Sequence, residues 1–192
     1  MSTPLNMRII AITPPHAIEN EVVVIQRLLE KGVDIVHLRK HQSEFSDIDV
    51  IVYLRDILSA LTSAQRRRII IHDYPMLCDE YSLKGIHINK NITSLPEGYN
   101  GYKTRSCHSF EEIERYKNEY DYLFLSPIFD SISKPEYKSP FTLEMLQKAS
   151  LEGIIDNKVI ALGGITFDKI PYLQSLNFGG VAMIGELFNK TK

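Results

Sequence analysis

An α/β fold, a compact (β/α)8 TIM barrel with a short final helix, is predicted by three observations. Short, nearly continuous apolar runs rich in β-branched residues recur along the chain, as expected of parallel strands buried on both faces. Amphipathic stretches alternate with them, and about eight such units favour a closed barrel over an open doubly wound sheet. No Pro-rich, Gly/Ser-rich or low-complexity segment interrupts the alternation, so residues 1–192 read as a single domain.

Taken in order, the expected strands are Arg8–Thr13, Asp34–Leu38, Arg68–Ile71, Gly85–Ile88, Tyr102–Ser106, Tyr122–Leu125, Val159–Leu162 and Gly180–Ile184. The clearest helices are Glu21–Glu30, Ile48–Leu61, Phe110–Glu119, Thr142–Leu151 and Phe167–Leu176. Ser109 followed by Glu112 reads as a capping box that starts the third of these. A chain of 192 residues is short for a barrel of typically ~250, so the helices must be brief, and the connection from Ile88 to Tyr102 has room for about one helical turn. After Ile184 only a short final helix fits, and a thinly covered last strand predicts a homo-oligomer.

The 22 basic and 24 acidic side chains nearly cancel, which argues against a nucleic-acid or membrane-surface protein held by a basic field. Arg66-Arg67-Arg68, the tight basic cluster, reads as a solvated strand entry. Cys78 and Cys107 are too few for a disulfide framework and too far apart for a metal-binding pair. With no apolar run near the ~20 residues that span a bilayer and no signal-like N-terminus, a cytoplasmic location is expected.

Chemistry in a parallel barrel gathers at the carboxyl ends of the strands, and here these ends are polar. They supply His37 and Arg39, His72 and Asp73, His87 and Asn89, Ser106 and His108, and then a long loop with Ser131, Ser133 and Lys134. Period-2 alternation puts His37 and Arg39 on one face, and sends Cys107 away from Ser106 and His108 into the packing. His87, between Ile86 and Ile88, reads as an inward-facing core histidine. Gly163, Gly164 and Gly185 follow the last two strands, where open backbone amides form a phosphate site in many barrels. Arg39 and Lys134 would add positive charge at that mouth. His108 is the side-chain type that both accepts and donates a proton near neutral pH. Asp73 would hold Mg2+, a hard cation gripped by one or two carboxylates plus substrate phosphates. The strand-end histidines also raise a transition-metal hydrolase, against which stand the absence of His-x-His and of a second strand-end carboxylate.

Seven segments in order resemble the thiamin phosphate synthase and TenI superfamily over nearly the whole chain. They are Val36-His37-Leu38-Arg39-Lys40, Ile70-Ile71-His72-Asp73, Gly85-Ile86-His87-Ile88, Arg105-Ser106-Cys107-His108-Ser109-Phe110-Glu111-Glu112, the run from Ser126-Pro127 to Ser133-Lys134, Ala161-Leu162-Gly163-Gly164-Ile165 and Gly180-Val181-Ala182-Met183. The synthase branch implies coupling of an aminopyrimidine diphosphate to a thiazole phosphate with Mg2+. Under it Arg39 and Lys134 clamp pyrophosphate, Asp73 holds Mg2+, Ser106, Ser131 and Ser133 line the substrates, and Gly164 with Gly185 bind the thiazole phosphate.

The chain departs from the synthase pattern at three places. Gln-Leu-Arg-Glu-Lys becomes His37-Leu38-Arg39-Lys40-His41, Asn-Asp becomes His72-Asp73, and the acidic residue expected after Gly-x-His is replaced around Asn91 and Ile92. Similarity to the TenI branch lies in the histidine before Leu-Arg and in Arg-Ser-x-His-Ser, and implies proton transfer by His108 on a phosphate-anchored thiazole. That tautomerase-like chemistry, with catalytic His108 and Ser106, is the reading preferred from sequence. The Mg2+-dependent synthase is the alternative, and a non-catalytic phosphate-ligand-binding regulatory barrel the second alternative. The implied partner is a small phosphorylated thiazole, with a pyrimidine diphosphate in the synthase case.

Overall fold

The computed structural model describes residues 7–41, 46–92, 94–130, 138–184 and 187–188. Eight parallel strands close into a barrel in sequence order. They are β1 Arg8–Ile12, β2 Ile35–Leu38, β3 Ile69–His72, β4 Gly85–Ile88, β5 Tyr102–Cys107, β6 Tyr122–Leu125, β7 Val159–Leu162 and β8 Gly180–Met183. Closure is made by β1 on β8, with Arg8 opposite Gly180 and Ala11 opposite Met183. The predicted fold class and all eight strands are found, each within two residues of its expected bounds.

Alternation divides each strand between two cores. Ile10, Ile12, Ile35, Ile70, Tyr122, Phe124, Ile160 and Ala182 fill the barrel. Ala11, Val36, Leu38, Ile69, Ile71, Ile86, Leu123, Leu125 and Val181 face outward and meet the helices. Each such buried Leu or Ile stabilises the fold by ~1.5–3 kcal/mol relative to exposure.

The helices are α1 Glu21–Glu30, α2 Asp47–Ala60, α3 Ser63–Arg66, α4 Met76–Tyr81, α5 Phe110–Tyr116, α6 Leu143–Leu151 and α7 Ile170–Ser175. α1 turns Ile25, Leu28 and Leu29 to the barrel, and α2 does so with Leu54, Ile57 and Leu58. Ser46 and Asp49 cap α2 reciprocally, and Thr62 and Gln65 repeat the device on α3. The two short helices α3 and α4 were not expected, because one or two turns carry too little periodicity to be read. No helix is described between Ile88 and Tyr102, so the turn of helix allowed there is not seen among the described residues. Of the predicted final helix only Leu187 and Phe188 are described, both buried.

Arg66-Arg67-Arg68 corrects one expectation. Rather than standing in solvent, Arg66 donates to the carbonyls of Leu58 and Leu61 at 3.3 and 2.8 Å. Arg68 donates to those of Leu29, Val33 and Asp34. Two of the three guanidiniums therefore satisfy chain ends at the amino-terminal side of the barrel.

Candidate active site

The mouth at the carboxyl ends of the strands is built from the first loops outward. Arg39 is pinned by its backbone: its N–H donates to Thr13 Oγ1 at 2.9 Å and its carbonyl accepts from the same hydroxyl at 3.0 Å. Thr13 is fully buried, whereas the Arg39 side chain is exposed. Lys40 points the other way. Its ammonium donates to the carbonyls of Pro14 and His16, both at 2.8 Å, and pairs with Glu21 at 2.6 Å. Tyr53 donates to the other Glu21 oxygen at 2.7 Å. Burial pushes the Lys40 ammonium down in pKa, opposed by the Glu21 charge. The strap ties the first strand's loop to the end of β2 and so fixes where Arg39 stands.

Below Arg39 a cluster of polar side chains interrupts the apolar barrel interior. His37 is fully buried, with Nδ1 2.9 Å from His72 Nε2 and Nε2 2.5 Å from the Tyr122 hydroxyl. His87 Nδ1 meets Thr104 Oγ1 at 2.8 Å and its Nε2 meets Ser106 Oγ at 3.1 Å. His72 and His87 stack, with ring centroids 4.3 Å apart. Burial pushes all three imidazoles down in pKa, His87 to about 3, with Arg39 adding to the effect on His72 and His87. They are therefore neutral at neutral pH, where a surface histidine is still partly protonated. His87 is the inward core histidine expected. The same fate befalls His37, a candidate substrate contact from the sequence, which is fully buried with both nitrogens bonded. Tyr122 and Thr104 were missed, since inside a strand their hydroxyls look like ordinary β-formers.

His108 is exposed at the mouth. Its Nδ1 lies 2.9 Å from the Ser126 carbonyl, and its backbone N–H donates to Glu112 Oε2 at 2.6 Å. Ser109 accepts from the Glu112 N–H at 3.3 Å, so α5 begins as expected. The return half of the expected box is displaced by one residue, because Glu112 reaches His108 rather than Ser109. Cys107 is buried as predicted, and burial pushes its thiol up to about 12.

Asp73 follows β3 with a left-handed φ of 59°. Its Oδ1 accepts from Asn89 Nδ2 at 3.0 Å and from Asn91 Nδ2 at 3.3 Å, while Oδ2 takes no hydrogen bond among the described residues. Ile92, at the other replaced position, packs partly buried against the core. One carboxylate with one open oxygen fits a Mg2+ ion that draws its remaining ligands from substrate phosphates and water.

Gly163 and Gly164 have φ of 96° and 62° and lie against the loop after β6. A Cβ on Gly163 would stand 2.8 Å from Pro127 Cα, and one on Gly164 would stand 2.5 Å from the Asp130 carbonyl. The N–H groups of Ile128 and Phe129 donate to the carbonyls of Leu162 and Gly163 at 2.9 and 3.1 Å. These glycines therefore dock one mouth loop on the next, a role that the open-amide expectation did not include. Ser131, Ser133, Lys134 and Gly185 lie outside the described residues. A cavity of about 270 Å3 sits on the flank of α2, where Ala17, Val50 and Val52 give it a mostly apolar lining beside Lys40, Asp49, Tyr53 and Asp56.

No helix among the described residues is long and apolar enough to cross a membrane. The thiamine-phosphate synthase of Proteus mirabilis (strain HI4320) is 24% identical over 180 residues, covering 90% of this chain and 81% of the relative. A putative thiamine-phosphate synthase 2 of Aquifex aeolicus (strain VF5) is 29% identical, covering 86% and 89%. The crystal structure of thiamine phosphate pyrophosphorylase from Bacteroides thetaiotaomicron superposes with a TM-score of 0.83 at 38% identity, covering 96% of this chain and 86% of that one. These names favour the synthase alternative over the tautomerase preferred from sequence. The model of the thiamine monophosphate synthase family matches residues 9–187, and the chain belongs to that family.

Proposed function

We propose that this enzyme of the synthase and TenI superfamily forms thiamin phosphate by joining an aminopyrimidine diphosphate to a thiazole phosphate, with loss of pyrophosphate. The supporting observation is a backbone-pinned Arg39 after β2 and, after the adjacent β3, an Asp73 whose Oδ2 takes no hydrogen bond among the described residues. The names of the relatives point the same way. Positioning and leaving-group charge stabilisation carry most of such a reaction, and little acid–base work is demanded. Arg39 orients the diphosphate bidentately; Ser106 lies at the floor of the mouth, tied to His87. Lys134, Ser131, Ser133 and Gly185 enter this reading by resemblance, as the remaining pyrophosphate and substrate contacts. Mg2+, held by Asp73, would neutralise charge on the departing pyrophosphate.

His108 supports a second reading, thiazole tautomerisation. The Ser126 carbonyl only accepts, so the neutral imidazole carries its proton on Nδ1 and a lone pair on Nε2. An exposed ring so fixed is oriented as a proton acceptor. Purified protein supplied with both coupling substrates, with Mg2+ or with EDTA, separates the two. Thiamin phosphate formed only with Mg2+ is expected; no product with metal present, together with conversion of a thiazole carboxylate phosphate tautomer, would replace the synthase by the tautomerase.

A further inference from the structure

Three imidazoles meet inside the barrel from consecutive strands. The β3–β4 register sets His72 opposite His87, and the β2–β3 register sets His37 opposite Ile70, one interior level below. One ring nitrogen from each lies within 4.8 Å of the others. His37 Nδ1 and His72 Nε2, at 2.9 Å, already stand near the ~3.4 Å between two nitrogens bound at ~2.0–2.1 Å to one tetrahedral ion. We infer that His37, His72 and His87 form a binding site for a divalent first-row transition ion, with Zn2+ the best match to three neutral imidazoles.

The hydrogen bonds on the far side of two rings fit this use. Thr104 Oγ1 on His87 Nδ1 and the Tyr122 hydroxyl on His37 Nε2 leave the inner nitrogens as the ligating atoms and fix both ring planes. In the metal-free protein one proton sits between His37 Nδ1 and His72 Nε2. If His37 carries it, binding moves it to His37 Nε2, facing Tyr122; if His72 carries it, it moves to His72 Nδ1. Each imidazole stays neutral and no proton is lost. The pKa depression from burial acts in the same direction, since it keeps the lone pairs available.

His87 ligates through Nε2 with its proton on Nδ1 toward Thr104, and the Ser106 hydroxyl, 3.1 Å from Nε2, gives up that hydrogen bond when the ion binds. His72 and His87 are 8% and 5% exposed and His37 not at all, so entry is from the mouth. No carboxylate belongs to the trio. With Arg39 acting on two of the rings, the trio alone carries uncompensated positive charge once the ion is bound. An anion in the fourth position offsets this, so a phosphate oxygen at the mouth should tighten the ion. The site differs in chemistry from the Asp73 corner, where an oxygen ligand suits Mg2+.

The test uses tag-free, full-length protein stripped with a chelator and titrated with Co2+ by calorimetry and visible absorption. One Co2+ per chain is expected, with intense ligand-field bands, displacement by Zn2+ and no displacement by Mg2+. His72→Asn and His37→Gln should each weaken Co2+ binding by at least about a hundredfold, the upper end for loss of a mere outer-shell partner, with circular dichroism confirming the fold. Inorganic pyrophosphate should tighten Co2+ in the wild type and shift its bands. Absence of stoichiometric Co2+ binding in the wild type overturns the inference and leaves the trio as a hydrogen-bonded core. So does binding that survives His72→Asn in a folded protein. Neither result bears on Mg2+-dependent coupling, which is read in a separate assay.

Discussion

His108 Nδ1 lies 2.9 Å from the carbonyl oxygen of Ser126, so the loop after β6 decides which nitrogen of the ring faces the mouth. In a coupling enzyme this ring is peripheral to the bond being made. His108→Ala should therefore change the turnover number for thiamin phosphate formation by less than about tenfold, whereas any thiazole tautomerisation should fall about 10²–10⁴-fold. Steady-state rates for both reactions on one preparation check this; a coupling rate reduced as far as the tautomerisation rate would give His108 a direct part in coupling.

Asn91 Nδ2 reaches Asp73 Oδ1 at 3.3 Å, at the position where the family pattern puts a further acidic residue nearby. Asn91→Asp would replace an amide donor by a second carboxylate beside the first, turning a one-carboxylate corner into a two-carboxylate one. The Mg2+ concentration giving half-maximal coupling should drop about tenfold. Titrating Mg2+ against initial rate in the two proteins measures it, and an unchanged midpoint would move the ion away from Asp73.

The barrel was legible because continuous apolar runs of four to six residues, with amphipathic segments between them, admit few other arrangements. The positions of Arg39, Asp73 and His108 just past their strands were legible too, since a polar residue at the carboxyl end of such a run stands at the mouth. His37 was not. Alternation gives the side of the strand but not the level, and one interior level separates a ligand contact from a core residue bonded to Tyr122. Nor could the chain order reveal that His37, His72 and His87 converge, because ligands from adjacent parallel strands have no short spacing such as His-x-His. Arg66 and Arg68 misled for a related reason: their carbonyl partners lie on other segments.

His87 has its pKa pushed down from 6.5 to about 3, first by burial and then by Arg39 and Arg105. Between these values the unfolded chain binds the proton and the folded one does not, so stability rises with pH there. The contribution is full above about pH 6.5 and falls by ~1.4 kcal/mol per pH unit as pH drops toward the folded pKa. His37 and His72 shift in the same direction. Urea midpoints taken from pH 7 down to about pH 4.5, about two units below the pKa of an ordinary histidine, should fall steadily. The slope should be shallower in His87→Asn; equal slopes would mean that the ring protonates in the fold.

Lys40 and Glu21 form a buried pair, each side chain 2% exposed, 2.6 Å apart. Lys40→Met strands the Glu21 charge and two carbonyls, and should cost ~3–5 kcal/mol in urea unfolding. Adding Glu21→Gln should recover part of that loss, because the stranded charge goes with it. Both variants also loosen the strap that places Arg39, so KM for the diphosphate substrate should rise more than the turnover number falls. A destabilised protein with an unchanged KM would separate the strap from substrate binding.

Gly164 carries a φ of 62°, and a Cβ there would stand 2.5 Å from the Asp130 carbonyl and 2.8 Å from Phe129 Cβ. The obstacle is backbone, which cannot turn aside as a flexible side-chain end can. Gly164→Ala must therefore push the loop after β6 off the loop after β7, on top of the ~1 kcal/mol or more of left-handed strain in a non-glycine residue. The same loop holds the Ser126 carbonyl that orients His108 and leads to Ser131, Ser133 and Lys134. Calorimetric affinity for the thiazole phosphate should fall by at least about tenfold while the melting temperature drops only a few degrees. Gly98→Ala is the control for strain alone, since its φ of 72° is similar but nothing lies within 4 Å of the added carbon. If Gly98→Ala weakened the ligand as much as Gly164→Ala, the docking of the two loops would not be what ligand binding depends on.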